Sequence, residues 1–145
     1  RGTKRGGGYI HGVIPEFFRE EGVEKIYTEC DELTYTKTMA ERKTLMEDDA
    51  EAFIIVPGGI GTLEEFYEVL TLKQLGRHNK AMAIYNLNGY FNSLEAFMHE
   101  MSQKNFMAEV CHDMYKYFTD DDKLLDYIEE YEPLKTSWRR LKDAD

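Results

Sequence analysis

The chain has 145 residues, 42% hydrophobic and 32% charged, which suits one globular domain with a single core. Its 28 Asp and Glu against 18 Lys and Arg leave a formal charge of -10, which excludes a basic surface for a nucleic-acid backbone or an anionic membrane. Cys30 and Cys111 form no CxxC pair and His11, His78, His99 and His112 no metal-ligand spacing, so no metal site or disulfide framework is expected and both cysteines read as buried free thiols.

The chain opens with Arg1-Gly2-Thr3-Lys4-Arg5-Gly6-Gly7-Gly8, then runs into the apolar stretch Tyr9 to Pro15, read as a buried strand that Pro15 stops. Glu16 to Glu21 reads as a brief helical turn and Glu32 to Thr36 as a weakly alternating strand. From Thr38 to Asp49 a helix places Met39, Leu45 and Met46 roughly on one side, with Glu41, Arg42 and Lys43 in its first turns. Ala52 to Val56 is a continuous apolar run of the kind covered on both faces of a parallel sheet, and Pro57-Gly58-Gly59-Ile60-Gly61 breaks it. Leu63, Phe66, Tyr67, Leu70 and Leu75 then recur at helical spacing from Thr62 to Leu75, with Gly76 as the stop.

Ala81 to Tyr85 is a further buried strand, Asn86 to Gly89 a turn, and Phe91 to Lys104 an amphipathic helix. Tyr115 to Thr119 reads as an edge strand, Asp120 as a cap, and Lys123 to Tyr131 as the last helix before Pro133 and a charged tail, 132–145. Strand and helix alternate without an internal repeat, so the class is α/β with a mainly parallel sheet flanked by helices, in one domain spanning 1–145. No run approaches about eighteen apolar residues, and the first turns of the chain lack the core of a signal peptide, so neither a membrane span nor secretion is expected and the expected location is cytoplasmic.

The strongest local signal is Val56-Pro57-Gly58-Gly59-Ile60-Gly61-Thr62-Leu63-Glu64-Glu65, which joins a buried strand to a helix through three glycines. Glycine lets backbone approach a ligand closely and adopt positive φ. The amides and dipole of the first helical turn then favour a phosphate, with the Thr62 hydroxyl in support. No lysine follows the last glycine as in a Walker loop, and Gly-Gly-x-Gly differs from GxGxxG. The residues leave two readings open, an anion site or a tight turn serving only strand-helix packing.

Glu65 also carries two readings. Thr62-Leu63-Glu64-Glu65 has the T-x-x-E form of a capping box, in which Glu65 reaches back to Thr62. Alternatively, a carboxylate of Glu64 or Glu65 at the mouth of an anion site handles ribose hydroxyls or developing positive charge, because a carboxylate beside a phosphate is costly. Arg42 and Lys43 lie sixteen residues before Gly58, and in a parallel sheet the start of their helix lies at the carboxyl-end edge, a spacing that permits a cleft shared with the loop. A solvated helix face is the other reading of that pair. His78 and His99 are assigned no role.

Thr38-Met39-Ala40-Glu41-Arg42-Lys43 together with Pro57-Gly58-Gly59-Ile60-Gly61-Thr62-Leu63-Glu64-Glu65 closely resembles the Lonely Guy family of cytokinin riboside 5'-monophosphate phosphoribohydrolases, many of which carry the label "lysine decarboxylase-like". The resemblance continues through Val69 to Gly76, Asn88-Gly89-Tyr90-Phe91 and Gly12 to Pro15. It implies a Rossmann-like homodimer whose Arg42 and Glu65 are catalytic. Lys43, Gly58, Gly59, Ile60, Gly61, Thr62, Glu64 and Thr71 would bind the substrate, AMP or a cytokinin riboside monophosphate. No cofactor is implied.

Two departures accompany the resemblance. Family members often carry His where this chain has Ala40, and their first strand and glycine-rich loop find no counterpart before Tyr9, so a domain lacking its first βα unit is expected. Pyridoxal chemistry needs a Schiff-base lysine, and none stands in or next to the glycine loop. The function implied is hydrolysis of the N-glycosidic bond of a purine or cytokinin nucleoside 5'-monophosphate, with a nucleotide-binding module lacking turnover as the alternative.

Overall fold

A computed structural model describes residues 2–22 and 26–134; the charged tail from 135 onward lies outside the described residues. The elements run α1 (Gly2–Arg5), β1 (His11–Pro15), α2 (Glu16–Glu21), β2 (Glu32–Thr36), α3 (Met39–Asp49), β3 (Ala52–Ile55), α4 (Ile60–Gln74), β4 (Ala81–Tyr85), α5 (Asn92–Gln103), β5 (Lys116–Phe118) and α6 (Asp121–Glu129), with 3-10 turns at Leu87–Gly89 and Glu109–Met114. Every strand pairing is parallel, as the α/β reading expects. The chain divides into two compact units, one ending at Ala50 and the other beginning at Glu51, each with its own sheet.

In the first unit β1 pairs with β2 from His11 opposite Glu32 to Pro15 opposite Thr36, and α3 packs on both strands. The apolar stretch expected to be buried from Tyr9 starts pairing only at His11; Tyr9 is exposed and Pro15 is its buried end. Cys30, expected in a core, is half-buried, its thiol donating to the Tyr27 carbonyl at 3.4 Å. Helix α3 begins with a side-chain cap: the Thr38 hydroxyl accepts the Glu41 amide at 3.1 Å, and the Glu41 carboxylate accepts the Lys37 amide at 2.8 Å.

The second unit holds the sheet β3-β4-β5 and the main core. On central β4, Met82 and Ile84 point to one face, where Phe66, Val69 and Leu70 of α4, Met98 of α5, Phe91, Met114 and Tyr115 bury them. The alternating small residues Ala81 and Ala83 face the other way and let α6 approach closely, with Tyr127 lying against Phe118 at 5.2 Å. Because α6 covers β4 and β5, edge strand β3 is open on that face and Ile54 is 48% exposed. The run Ala52 to Val56 is therefore not covered on both faces: Phe53 and Ile55 turn to the core while Ile54 and Val56 do not. Asp120 caps α6 as expected, accepting the Lys123 amide at 3.0 Å. Helix α4 ends in a full C-terminal turn motif around Gly76 (φ 69), with Gly76 N–H to the Lys73 carbonyl and Arg77 N–H to the Leu72 carbonyl.

Candidate functional site

The glycine loop leaves the carboxyl end of β3 and becomes α4 two residues earlier than the apolar pattern implies. The helix starts at Ile60 with Gly59 as N-cap, so Thr62 and Glu65 do not form the expected capping box. Thr62 is already the third helical residue and Glu65 the sixth, past the reach of the orphan amides. Gly59 has no side chain to accept a hydrogen bond, which leaves the first-turn amides of Ile60, Gly61 and Thr62 aimed out of the helix end.

Of the three glycines only Gly58 is required by what surrounds it. None of them adopts positive φ, contrary to one role expected for them; Gly59 sits at φ -95, ψ -152. At Gly58 a Cβ would lie 2.2 Å from the Thr62 hydroxyl oxygen, so only glycine lets the Thr62 side chain fold over that backbone. At Gly59 and Gly61 a Cβ would meet nothing within 4 Å, so the helix end is bare on that side. Ile60 between them is 89% exposed, and Glu64 is exposed with Glu65 half-buried beside it. Thr71 lies seven residues beyond Glu64 on the same face of α4, about 10 Å along the helix axis, with its hydroxyl donating to the Tyr67 carbonyl at 2.7 Å.

Arg42 and Lys43 stand in the second turn of α3 in the first unit, both half-buried. Arg42 Nε donates to the carbonyl of Val13, the middle residue of β1, at 3.3 Å, which anchors its guanidinium against that strand. Arg42 and Lys43 in the first unit and Gly58 to Glu65 in the second thus stand toward the carboxyl-end edge of their own parallel strands, where open α/β sheets place ligands, whereas Thr71 lies far down α4, two residues from Lys73 and toward the amino edge.

Sequence reasoning did not single out Tyr90. Its hydroxyl donates to the Gly58 carbonyl at 2.7 Å from the turn that follows β4. The usable signal was Asn88-Gly89, a dipeptide that favours a left-handed turn, three residues past the end of buried strand β4.

A family model described as possible lysine decarboxylase matches residues 1–128. A cytokinin riboside 5'-monophosphate phosphoribohydrolase of Arabidopsis thaliana is 35% identical over 147 residues, covering 96% of this chain and 67% of the relative. One of Mycobacterium marinum is 40% identical over 102 residues, covering 70% and 54%, and a probable one of Oryza sativa subsp. japonica is 36% identical over 128 residues, covering 88% and 60%. The chain belongs to the Lonely Guy family. It spans little more than half the length of several Lonely Guy relatives that it matches.

The decarboxylase description of the Lonely Guy family directs attention to lysines, and burial holds Lys73 low, with its pKa lowered to about 8. Its ammonium donates to the Lys80 carbonyl at 2.7 Å, the Met114 carbonyl at 2.8 Å and the Tyr131 hydroxyl at 2.9 Å. Lys80 and Met114 precede β4 and β5, so Lys73 ties together the amino edge of the sheet, opposite to the glycine loop. All three of its protons serve the fold. Among the described residues no cluster of His, Cys, Asp or Glu is placed to hold a metal, and no helix is long and apolar enough to cross a membrane.

Proposed function

We propose that this chain hydrolyses the N-glycosidic bond of a nucleoside 5'-monophosphate, AMP or a cytokinin riboside monophosphate, to the free base and ribose 5-phosphate. The observation that carries the reading is the bare start of α4, where first-turn amides meet open space at Gly59 and Gly61. The activity for which the relatives are named supports the same substrate class. Gly58, Gly59, Ile60, Gly61 and Thr62 would hold the 5'-phosphate, with Lys43 adding positive charge. Glu64 and Thr71, on one face of α4, would meet the uncharged part of the ligand.

In the reaction water adds its oxygen to C1', the C1'–N bond breaks, and the departing base takes a proton. The sugar passes through an oxocarbenium-like state, so an anionic Glu65 near C1' or its neighbouring hydroxyls binds the transition state more tightly than the ground state. Arg42 would orient the nucleotide and stabilise charge on the leaving side. In this reading the chain acts as one Rossmann-like nucleotide-binding domain, as a cytoplasmic homodimer.

Incubation with AMP tests the proposal, with release of adenine and ribose 5-phosphate expected. Bound AMP without adenine would leave a nucleotide-binding module; neither binding nor turnover would sink both readings.

A further inference from the structure

The glycine loop is braced from a second element. Tyr90 is 56% exposed, so its bond to the Gly58 carbonyl is not a by-product of core packing. The carbonyl of Gly58 and the N–H of Gly59 belong to one planar trans peptide, and holding the oxygen fixes the direction of that N–H. Gly59 itself has no Cβ and no neighbour that a Cβ would touch, so packing at its α-carbon does not restrain the two torsions that lead into the helix. Thr62 packs against the α-carbon of Gly58. The loop is thus gripped at Gly58 from both sides.

The tyrosine is delivered by a stiff turn. Asn88 (φ 54) and Gly89 (φ 73) are successive left-handed residues, and a Cβ on Gly89 would lie 2.8 Å from the side-chain Nδ2 of Asn92. Asn86, 6% exposed, accepts the Phe91 amide at 2.7 Å, donates to the Asn92 side chain at 2.7 Å, and gives its own N–H to the Phe118 carbonyl of β5 at 2.7 Å. Phe91 is buried in the core with its ring edge-on to Tyr90 at 5.0 Å. The hydroxyl is therefore fixed relative to the sheet.

We propose that Tyr90 is a positioning residue for the glycine loop: by holding the Gly58 carbonyl it aims the Gly59 amide and the first-turn amides behind it, and so sets affinity for the phosphate-bearing part of the ligand. The inference rests on the nucleotide reading above for its ligand, though not for the bracing itself. It makes Tyr90 a residue that acts through the loop.

Tyr90→Phe in the whole chain tests it, since the ring and its contact with Phe91 remain. Titration with AMP, ribose 5-phosphate and adenosine should show the two phosphate-bearing compounds bound about three- to tenfold more weakly, the scale of one hydrogen bond, while adenosine is unaffected. Without ligand, the backbone order parameters of Gly59 and Gly61 measured by NMR relaxation should fall while the melting temperature holds. Unchanged affinity together with unchanged order parameters overturns the proposal, as does an equal loss for adenosine, which would mark a general structural defect. If the unaltered chain binds none of the three compounds, the nucleotide reading fails, and the order parameter of Gly59 still decides whether Tyr90 braces the loop.

Discussion

Lys73 donates a 2.8 Å hydrogen bond to the carbonyl of Met114 from a side chain on a residue only 5% exposed, and no partner among its three acceptors carries a charge. A helix is thereby tied to the approach of an edge strand by an ammonium that burial destabilises. The arrangement leaves a trace in the pH dependence of stability.

With the folded pKa lowered from 10.5 to about 8, the unfolded chain binds the extra proton between those values, so the Lys73 contribution makes stability rise as pH climbs through that window. Tyr127, pushed up to about 12 by burial, acts in the opposite sense above pH 10, because there the unfolded chain has released a proton that the folded chain keeps. Urea unfolding from pH 7.5 to 10 should therefore show a rising component that Lys73→Met lacks. Equal slopes in the two proteins would mean that Lys73 titrates as an ordinary exposed lysine.

The T-x-x-E segments at Thr38 and Thr62 should respond differently to the same substitution. Thr38→Ala removes a formed N-cap and should lower stability by about 1 kcal/mol. Thr62→Ala removes no cap, because Gly59 occupies that position, and should cost less than half as much. Denaturant titration of both variants decides it, and equal losses would restore the capping role at Thr62.

Neighbouring glycines should fail in different ways. Gly58→Ala forces a methyl group against Thr62 and should lower the melting temperature. Gly59→Val has room for its side chain in the free protein and should keep the circular dichroism spectrum while abolishing AMP binding. Retained affinity in Gly59→Val would remove the loop from the site.

Glu65→Gln keeps the shape of the side chain and should leave stability within about 1 kcal/mol. Turnover of AMP should fall about a hundredfold or more, the scale of a positioned acid, base or electrostatic group, with a much smaller change in affinity. Arg42→Ala should lose a larger share in binding, because an orienting arginine acts in the ground state as well. Full activity in Glu65→Gln would end its catalytic assignment.

Much of the fold was legible in the residues. Ala81 to Tyr85 reads as a buried strand because nothing else suits five consecutive small or apolar residues between turns, and it is the central strand. Gly76 and Asp120 announced a helix end and a helix start through local chemistry alone. Ala52 to Val56 misled because an apolar run states what a strand would bury, whereas the reach of α6 across the sheet decides what is covered. Thr62 misled because a cap depends on where the chain leaves extended geometry, and the same pattern at Thr38 does form one.

The sequence by itself determined the alternating strand and helix order, the glycine-rich strand-to-helix junction and the family motif, since each depends on neighbouring residues. Only the tertiary structure decided that Gly58 must be glycine for the sake of Thr62, that Lys73 is spent on the amino edge of the sheet, and that Tyr90, thirty-two residues away, holds the loop. The Met114 and Tyr90 contacts join segments distant in the chain and are set by how the sheet and helices pack, while the contact of Gly58 with Thr62, four residues on, depends on where α4 begins, which residue spacing alone does not encode.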